Sequence, residues 1–309
     1  MTVAAAETRP APAGTATRRT GRKRYDGAMP YLLVLPGLAC YALFVLSPIV
    51  QTVELSFQRT DGLTTPVWVG LRNFTDILTD PQQLASFAVS LAMVFFTCLL
   101  PVAVALALVG LIARTRVRGL SVLRFLYFLP YTVALAVVAI AWRWLYATDG
   151  SINEIVGAVF GHGAVTDYLG NFDLALPALG VVGFWATFGY VTVLLLSGTQ
   201  HVSRELYEAA RMDGAGPLRE FFVVTLPGVR QELRVALVMT FIMAMRTFDL
   251  PLMTTSGGPG YTTTTPSLLM YQDVFENGKV GSGAAIAVLL TLVMVVGVVL
   301  INRTMSAKD

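Results

Sequence analysis

Residues 281–301 read GSGAAIAVLLTLVMVVGVVLI, a run with no charged side chain. A helix rises about 1.5 Å per residue, so this run is long enough to cross about 30 Å of hydrocarbon. Five more stretches of the same kind lie near 30–52, 85–112, 125–146, 174–199 and 235–255. In lipid the backbone must satisfy its own hydrogen bonds, which leaves helices or closed barrels. The period-2 alternation of a barrel strand is missing, so the expectation is an all-α integral membrane protein with six transmembrane helices.

The rest of the chain agrees. It has 309 residues, of which 55% are hydrophobic and 13% charged, about half the charge fraction of an ordinary soluble domain. The net charge of +3 is too small to indicate nucleic acid as a partner. Cys40 and Cys98 sit in apolar runs, and His162 and His201 stand alone in loops, so neither a disulfide framework nor a metal site is indicated. The histidines are read as solvent-facing, with no role.

Basic residues crowd one set of segments: Arg18, Arg19 and Arg22 in the N-terminal tail, then Arg114, Arg116, Arg118 and Arg124, then Arg204, Arg211, Arg219, Arg230 and Arg234, then Arg303 and Lys308. The three other loops hold Arg59, Arg72 and Lys279. The positive-inside bias then places both termini in the cytoplasm. Residues 1–28, rich in Ala, Thr, Pro and Arg, are expected to be a disordered basic tail, and 29–309 one six-helix transmembrane domain.

The second informative stretch is the loop at about 203–232, SRELYEAARMDGAGPLREFFVVTLPGVRQE. Ser203 and Glu205 suit the start of a short helix. Gly214, Gly216 and Pro217 end it, and a second amphipathic segment runs to Leu226-Pro227. Ala209, Ala210, Gly214 and Ala215 leave little bulk, so another protein could approach the backbone closely, with Glu208 and Asp213 as charges at the rim. An ordinary interfacial linker fits the same composition.

Glu208-Ala209-Ala210, then Gly214, then Val224-x-Leu226-Pro227 resembles the EAA loop of binding-protein-dependent ABC importers. Asp213-Gly214-Ala215 and Thr225-Leu226-Pro227 resemble the carbohydrate-uptake branch of maltose, oligosaccharide and glycerol-3-phosphate permeases. Thr255-Ser256-Gly257-Gly258-Pro259-Gly260 resembles the glycine-proline loop of the maltose-permease F type, with Ser256 where that family often has Gly. The resemblance implies the type I ABC importer permease fold and a bacterial plasma-membrane location. It further implies a second homologous permease, a cytoplasmic ATPase dimer gripping Glu208, Ala209, Ala210 and Gly214, an extracellular solute-binding protein, and a carbohydrate substrate. No G-x-x-x-x-G-K-[ST] motif occurs in the chain, so ATP and Mg would belong to the partner ATPase and no catalytic residue is assigned.

Polar or small residues at membrane depth mark a route. Thr240, Ala244 and Thr247 share one helical face, and Gly183, Ala186, Thr187 and Tyr190 form another. Hydroxyls and an aromatic ring suit a neutral sugar, and in the maltose-permease type the matching helices supply the sugar contacts. Small-residue helix packing explains the same residues without a substrate. Arg246 and Asp249 are expected to pair within the fifth helix, and Arg143, between Trp142 and Trp144, to reach the headgroups. A secondary transporter driven by an ion gradient is the competing class; it usually places carboxylates at the midplane, where only Asp249 is available.

Overall fold

The computed structural model describes residues 29–112, 119–161 and 165–306. The basic tail expected over 1–28 and His162 lie outside them. The chain divides after Ile49 into two units. In the first, the described residues form most of helix α1 (Leu32–Ser56), with Leu32, Leu33 and Phe44 exposed. The second, from Val50, carries everything below.

After α1 comes an antiparallel hairpin of β1 (Gln58–Arg59) and β2 (Val67–Trp68), then α2 (Arg72–Thr79) and α3 (Pro81–Ile112). Helices α4 (Leu120–Thr132), α5 (Leu135–Leu145), α6 (Ser151–Phe160) and α7 (Ala175–Thr199) follow. Next are α8 (Arg204–Met212), α9 (217–228), α10 (Arg230–Met245), α11 (Asp249–Thr254), α12 (266–276) and α13 (Val280–Met305).

Among the described residues, α1, α3, α7 and α13 are each long and apolar enough to cross a membrane. They coincide with the expected spans near 30–52, 85–112, 174–199 and 281–301. Asp80 starts α3 as its cap, its carboxylate accepting from the Gln82 N–H at 2.9 Å, with Pro81 at the first helical position where its missing N–H costs nothing. Large apolar side chains such as Leu292, Val295 and Val296 of α13 remain exposed, as lipid-facing positions do.

Two expected spans are not continuous helices. The 125–146 stretch is broken at Val133, which is extended, and Ala134, and α4 and α5 meet at 94°. The 235–255 stretch stops at Met245 and restarts at Asp249. Pro251 explains the second break: its ring lacks an N–H for the Thr247 carbonyl four residues back and crowds that carbonyl. Pro130, in the last turn of α4, is the corresponding irregularity in the first.

The break also removes the expected Arg246–Asp249 pair. The three-residue spacing stacks side chains only on an uninterrupted helix, and no ion pair forms between them. Arg143 and Trp144 are exposed near the end of α5.

Packing is tightest where side chains are smallest. Any Cβ at Gly189 of α7 would collide with the Tyr127 carbonyl of α4. Met93, Val138, Ala139, Ala178, Leu179, Val182 and Leu250 form one apolar cluster joining α3, α5, α7 and α11. Val102, Ala105, Val109, Val191, Leu195, Leu233 and Ala236 form another joining α3, α7 and α10. The Tyr146 hydroxyl donates to the Ala178 carbonyl at 3.2 Å, pinning the end of α5 to α7.

Candidate functional site: a threonine-lined cavity and a two-helix loop

The two broken helices face one cavity of about 360 Å³. Its wall takes Met93 and Thr97 from α3, Pro130, Tyr131, Val133 and Leu135 from the α4–α5 break, Gly183, Ala186 and Thr187 from α7, and Met243, Ala244, Thr247 and Leu250 from the α10–α11 break. Five of the seven pathway residues expected from sequence are therefore brought together: Gly183, Ala186, Thr187, Ala244 and Thr247. The other two are not in the wall.

Thr240 is fully buried and its hydroxyl donates to the Ala236 carbonyl at 2.7 Å, a packing role. Tyr190 stands one layer back, its ring stacked on Tyr131 at 4.7 Å and 16°. The aromatic ring at the wall is therefore that of Tyr131. Tyr131, Met93 and Thr97 were missed because they arrive from other spans, and Leu250 because it lies just past an unexpected break; the available signal was Pro130 and Pro251 inside apolar runs.

The wall hydroxyls have defined orientations. Thr97 Oγ1 donates to the Met93 carbonyl at 2.7 Å, Thr187 Oγ1 to the Gly183 carbonyl at 2.8 Å, and Thr247 Oγ1 to the Met243 carbonyl at 3.2 Å. A hydroxyl that donates backwards keeps its lone pairs. The cavity thus offers fixed acceptors amid apolar surface and an aromatic ring, a combination that suits a solute carrying O–H donors and C–H faces.

Beyond α11, residues 255–265 form a loop held by threonine hydroxyls. Thr263 Oγ1 donates to the Gly258 carbonyl at 2.8 Å, Thr264 Oγ1 to the Gly257 carbonyl at 3.0 Å, and Thr262 Oγ1 to the Pro259 carbonyl at 2.8 Å. Gly257 adopts φ +91°, and a side chain there would strike Thr264 Oγ1. Ser256, the departure from the family pattern, takes a positive φ of 52°.

The loop at 203–232 folds as two helices joined by a glycine turn. Gly214 takes φ +74°, and behind it the Ala215 N–H returns to the Ala210 carbonyl at 2.9 Å, closing the end of α8 as helix C-termini commonly do. Two side-chain contacts clamp α8 to α9. Tyr207 OH and Thr225 Oγ1 lie 3.3 Å apart, and Arg211 Nε donates to Glu220 Oε2 at 2.9 Å with Nη2 to Oε1 at 3.3 Å. Glu220 is 1% exposed, and its hydrogen bond and charge push the Arg211 guanidinium above its ordinary pKa.

That clamp leaves the expected contact residues outward. Glu208, Ala209, Asp213, Gly214 and Pro227 are exposed, while Ala210, Ala215 and Leu226 are half-buried. Leu206, Met212 and Leu218 add exposed apolar surface. No group of three His, Cys, Asp or Glu able to hold a metal occurs among the described residues.

A family model described as "Binding-protein-dependent transport system inner membrane component" matches residues 11–307. The chain belongs to that family. It is a multi-pass inner-membrane protein similar to the permeases of ABC sugar transporters. The trehalose/maltose transport system permease MalF of Thermococcus litoralis is 32% identical over 278 residues, covering 89% of this chain and 93% of the relative. The sulfoquinovosyl glycerol transport system permease SmoG of Agrobacterium fabrum is 28% identical over 289 residues, covering 92% of each. The fold is that of a subunit of a bacterial ABC transporter involved in import of the acidic polysaccharide alginate, with a TM-score of 0.76 over 90% of this chain and 94% of the other at 18% identity.

Proposed function

We propose that this family member is the permease subunit of an ATP-driven, binding-protein-dependent importer of a sugar or sugar-like solute. The observation that carries the reading is the cavity: three oriented threonine hydroxyls and Tyr131 meet where two helices break, the kind of place in which transporters hold solute. Six spans with both termini in the cytoplasm complete the assignment. The α10 segment would span together with α11, and the α4–α5 pair would count as one bent span.

In this reading the cavity and the 203–232 loop are two ends of one device. Helices α7 and α10 line the cavity and flank the loop on either side. A rigid α8–α9 unit gripped by a cytoplasmic ATPase dimer through Glu208, Ala209, Ala210, Asp213, Gly214 and Ala215, with Leu226 and Pro227 at its base, would tilt both helices as the dimer closes. ATP and Mg act on that partner, a second homologous permease completes the path, and an extracellular solute-binding protein delivers the carbohydrate.

The test is uptake by proteoliposomes holding the whole complex. Solute accumulation that follows ATP and persists when ion gradients are collapsed supports the reading. Accumulation driven by a proton or sodium gradient without ATP would assign the chain to the secondary transporters instead.

A further inference from the structure

Pro251, beside the cavity, lacks the N–H that would engage the carbonyl four residues back, and that carbonyl belongs to Thr247 of the cavity wall. An orphan carbonyl in a dry interior must find another donor, and here a threonine from a different element supplies it. Thr265 Oγ1 donates to the Thr247 carbonyl at 2.7 Å.

Thr265 is not itself in the wall. It is 1% exposed, eighteen residues from Thr247, and its oxygen also accepts from the Leu268 N–H at 3.4 Å as the cap of α12. One hydroxyl therefore ties the start of α12 to the break between α10 and α11. The Thr247 main chain is held from outside while its side chain points back to Met243. Neighbouring Thr263 and Thr264 are spent on the loop's own carbonyls, so neither can replace it.

We propose that Thr265 is a positioning residue for the solute cavity: by occupying the carbonyl that Pro251 frees, it fixes where Thr247 and the α10–α11 break stand. The inference rests on the cavity being the solute site, but its geometry can be tested without transport.

The test reads cavity access by thiol labelling of the full-length chain in membranes. Cys40 and Cys98 are replaced by alanine, and Ala244→Cys reports from the cavity wall. Val293→Cys on α13 serves as the remote reference. A methanethiosulfonate ethylammonium reagent supplies the rates. Thr265→Val, which keeps shape and removes the hydroxyl, is expected to change the Ala244→Cys rate about fivefold, the scale of one hydrogen bond, and to leave Val293→Cys unchanged. Thr265→Ser should restore the original rate. An unchanged Ala244→Cys rate, or an equal change at both reporters, would overturn the proposal.

A second arm covers the case in which Thr265→Val fails to accumulate. Pro251→Ala returns an N–H to the Thr247 carbonyl, so Thr265 becomes dispensable for it. Pro251→Ala with Thr265→Val should then insert and label like Pro251→Ala alone; an undiminished effect of Thr265→Val in that background would sink the idea. A cavity that responds as described while uptake proves gradient-driven would leave Thr265 in its role and overturn only the import reading.

Discussion

Arg211 reaches across the Gly214 turn to Glu220, whose carboxylate is 1% exposed while the arginine is half open to solvent. The pair makes α8 and α9 one body, and the asymmetry of burial makes its two halves unequal. Removing the cation takes the opposite charge away from a buried carboxylate, whereas Glu220→Gln removes the charge and keeps a hydrogen-bonding group. Arg211→Ala is therefore expected to raise hydrogen exchange over 204–212 and to lower ATP-coupled uptake more than Glu220→Gln does. Equal effects would show that the carboxylate is not dependent on its partner.

Gly214 provides a separate handle on the same turn. A Cβ there meets nothing within 4 Å, so any penalty is conformational and comes from φ +74°. Gly214→Ala should cost about 1 kcal/mol of loop stability, seen as a lowered Tm of the purified chain, while Gly214→Asn should recover part of it. Matching losses for Ala and Asn would point to a contact instead of a backbone requirement.

Within the cavity, the wall hydroxyls should separate from the buried one. Thr187→Val and Thr247→Val are each expected to weaken solute affinity about three- to tenfold, the scale of a single hydrogen bond. Thr240→Val should leave affinity alone, because Thr240 is fully buried outside the cavity wall. Transport KM measured across the three variants distinguishes them, and a loss at Thr240 equal to that at Thr247 would mean the wall is misplaced.

Gly189 tests the helix packing that shapes the same cavity. A methyl there would collide with the Tyr127 carbonyl, so Gly189→Ala should destabilise by about 1–3 kcal/mol. Thermal unfolding in detergent reads this directly.

Asp61 gives a pH dependence outside the spans. The backbone N–H groups of Thr64 and Leu63 and the Thr64 hydroxyl lower its pKa to about 2. A depressed carboxylate contributes stability that is complete above its unfolded value near 3.8 and is lost as pH falls toward 2. Exchange protection of the Leu63 and Thr64 amides should decline over that window, and Asp61→Asn should abolish the decline.

Much of this architecture is written in local chemistry. The four continuous spans announce themselves by length and apolarity, and the 203–232 loop by its glycines and its run of small residues. The two broken spans do not, because apolar content averages over a break: Val133 and Thr247 look like ordinary helix residues until Pro130 and Pro251 are asked which carbonyls they leave unmatched. Tyr131 in front of Tyr190, and Thr265 behind Thr247, depend on contacts between elements far apart in sequence. The expected Arg246–Asp249 pair failed for the same reason, since its geometry presupposed a helix that Pro251 interrupts.

The central claim is that the exposed face around Glu208 and Ala209 is the seat of a cytoplasmic ATPase. Ala209→Cys, on a background without Cys40 and Cys98, can be labelled with a membrane-impermeant maleimide in vesicles of either orientation. The account predicts labelling from the cytoplasmic side alone and strong protection when the partner ATPase is bound. Labelling from the outer side, or a rate indifferent to the ATPase, would contradict it.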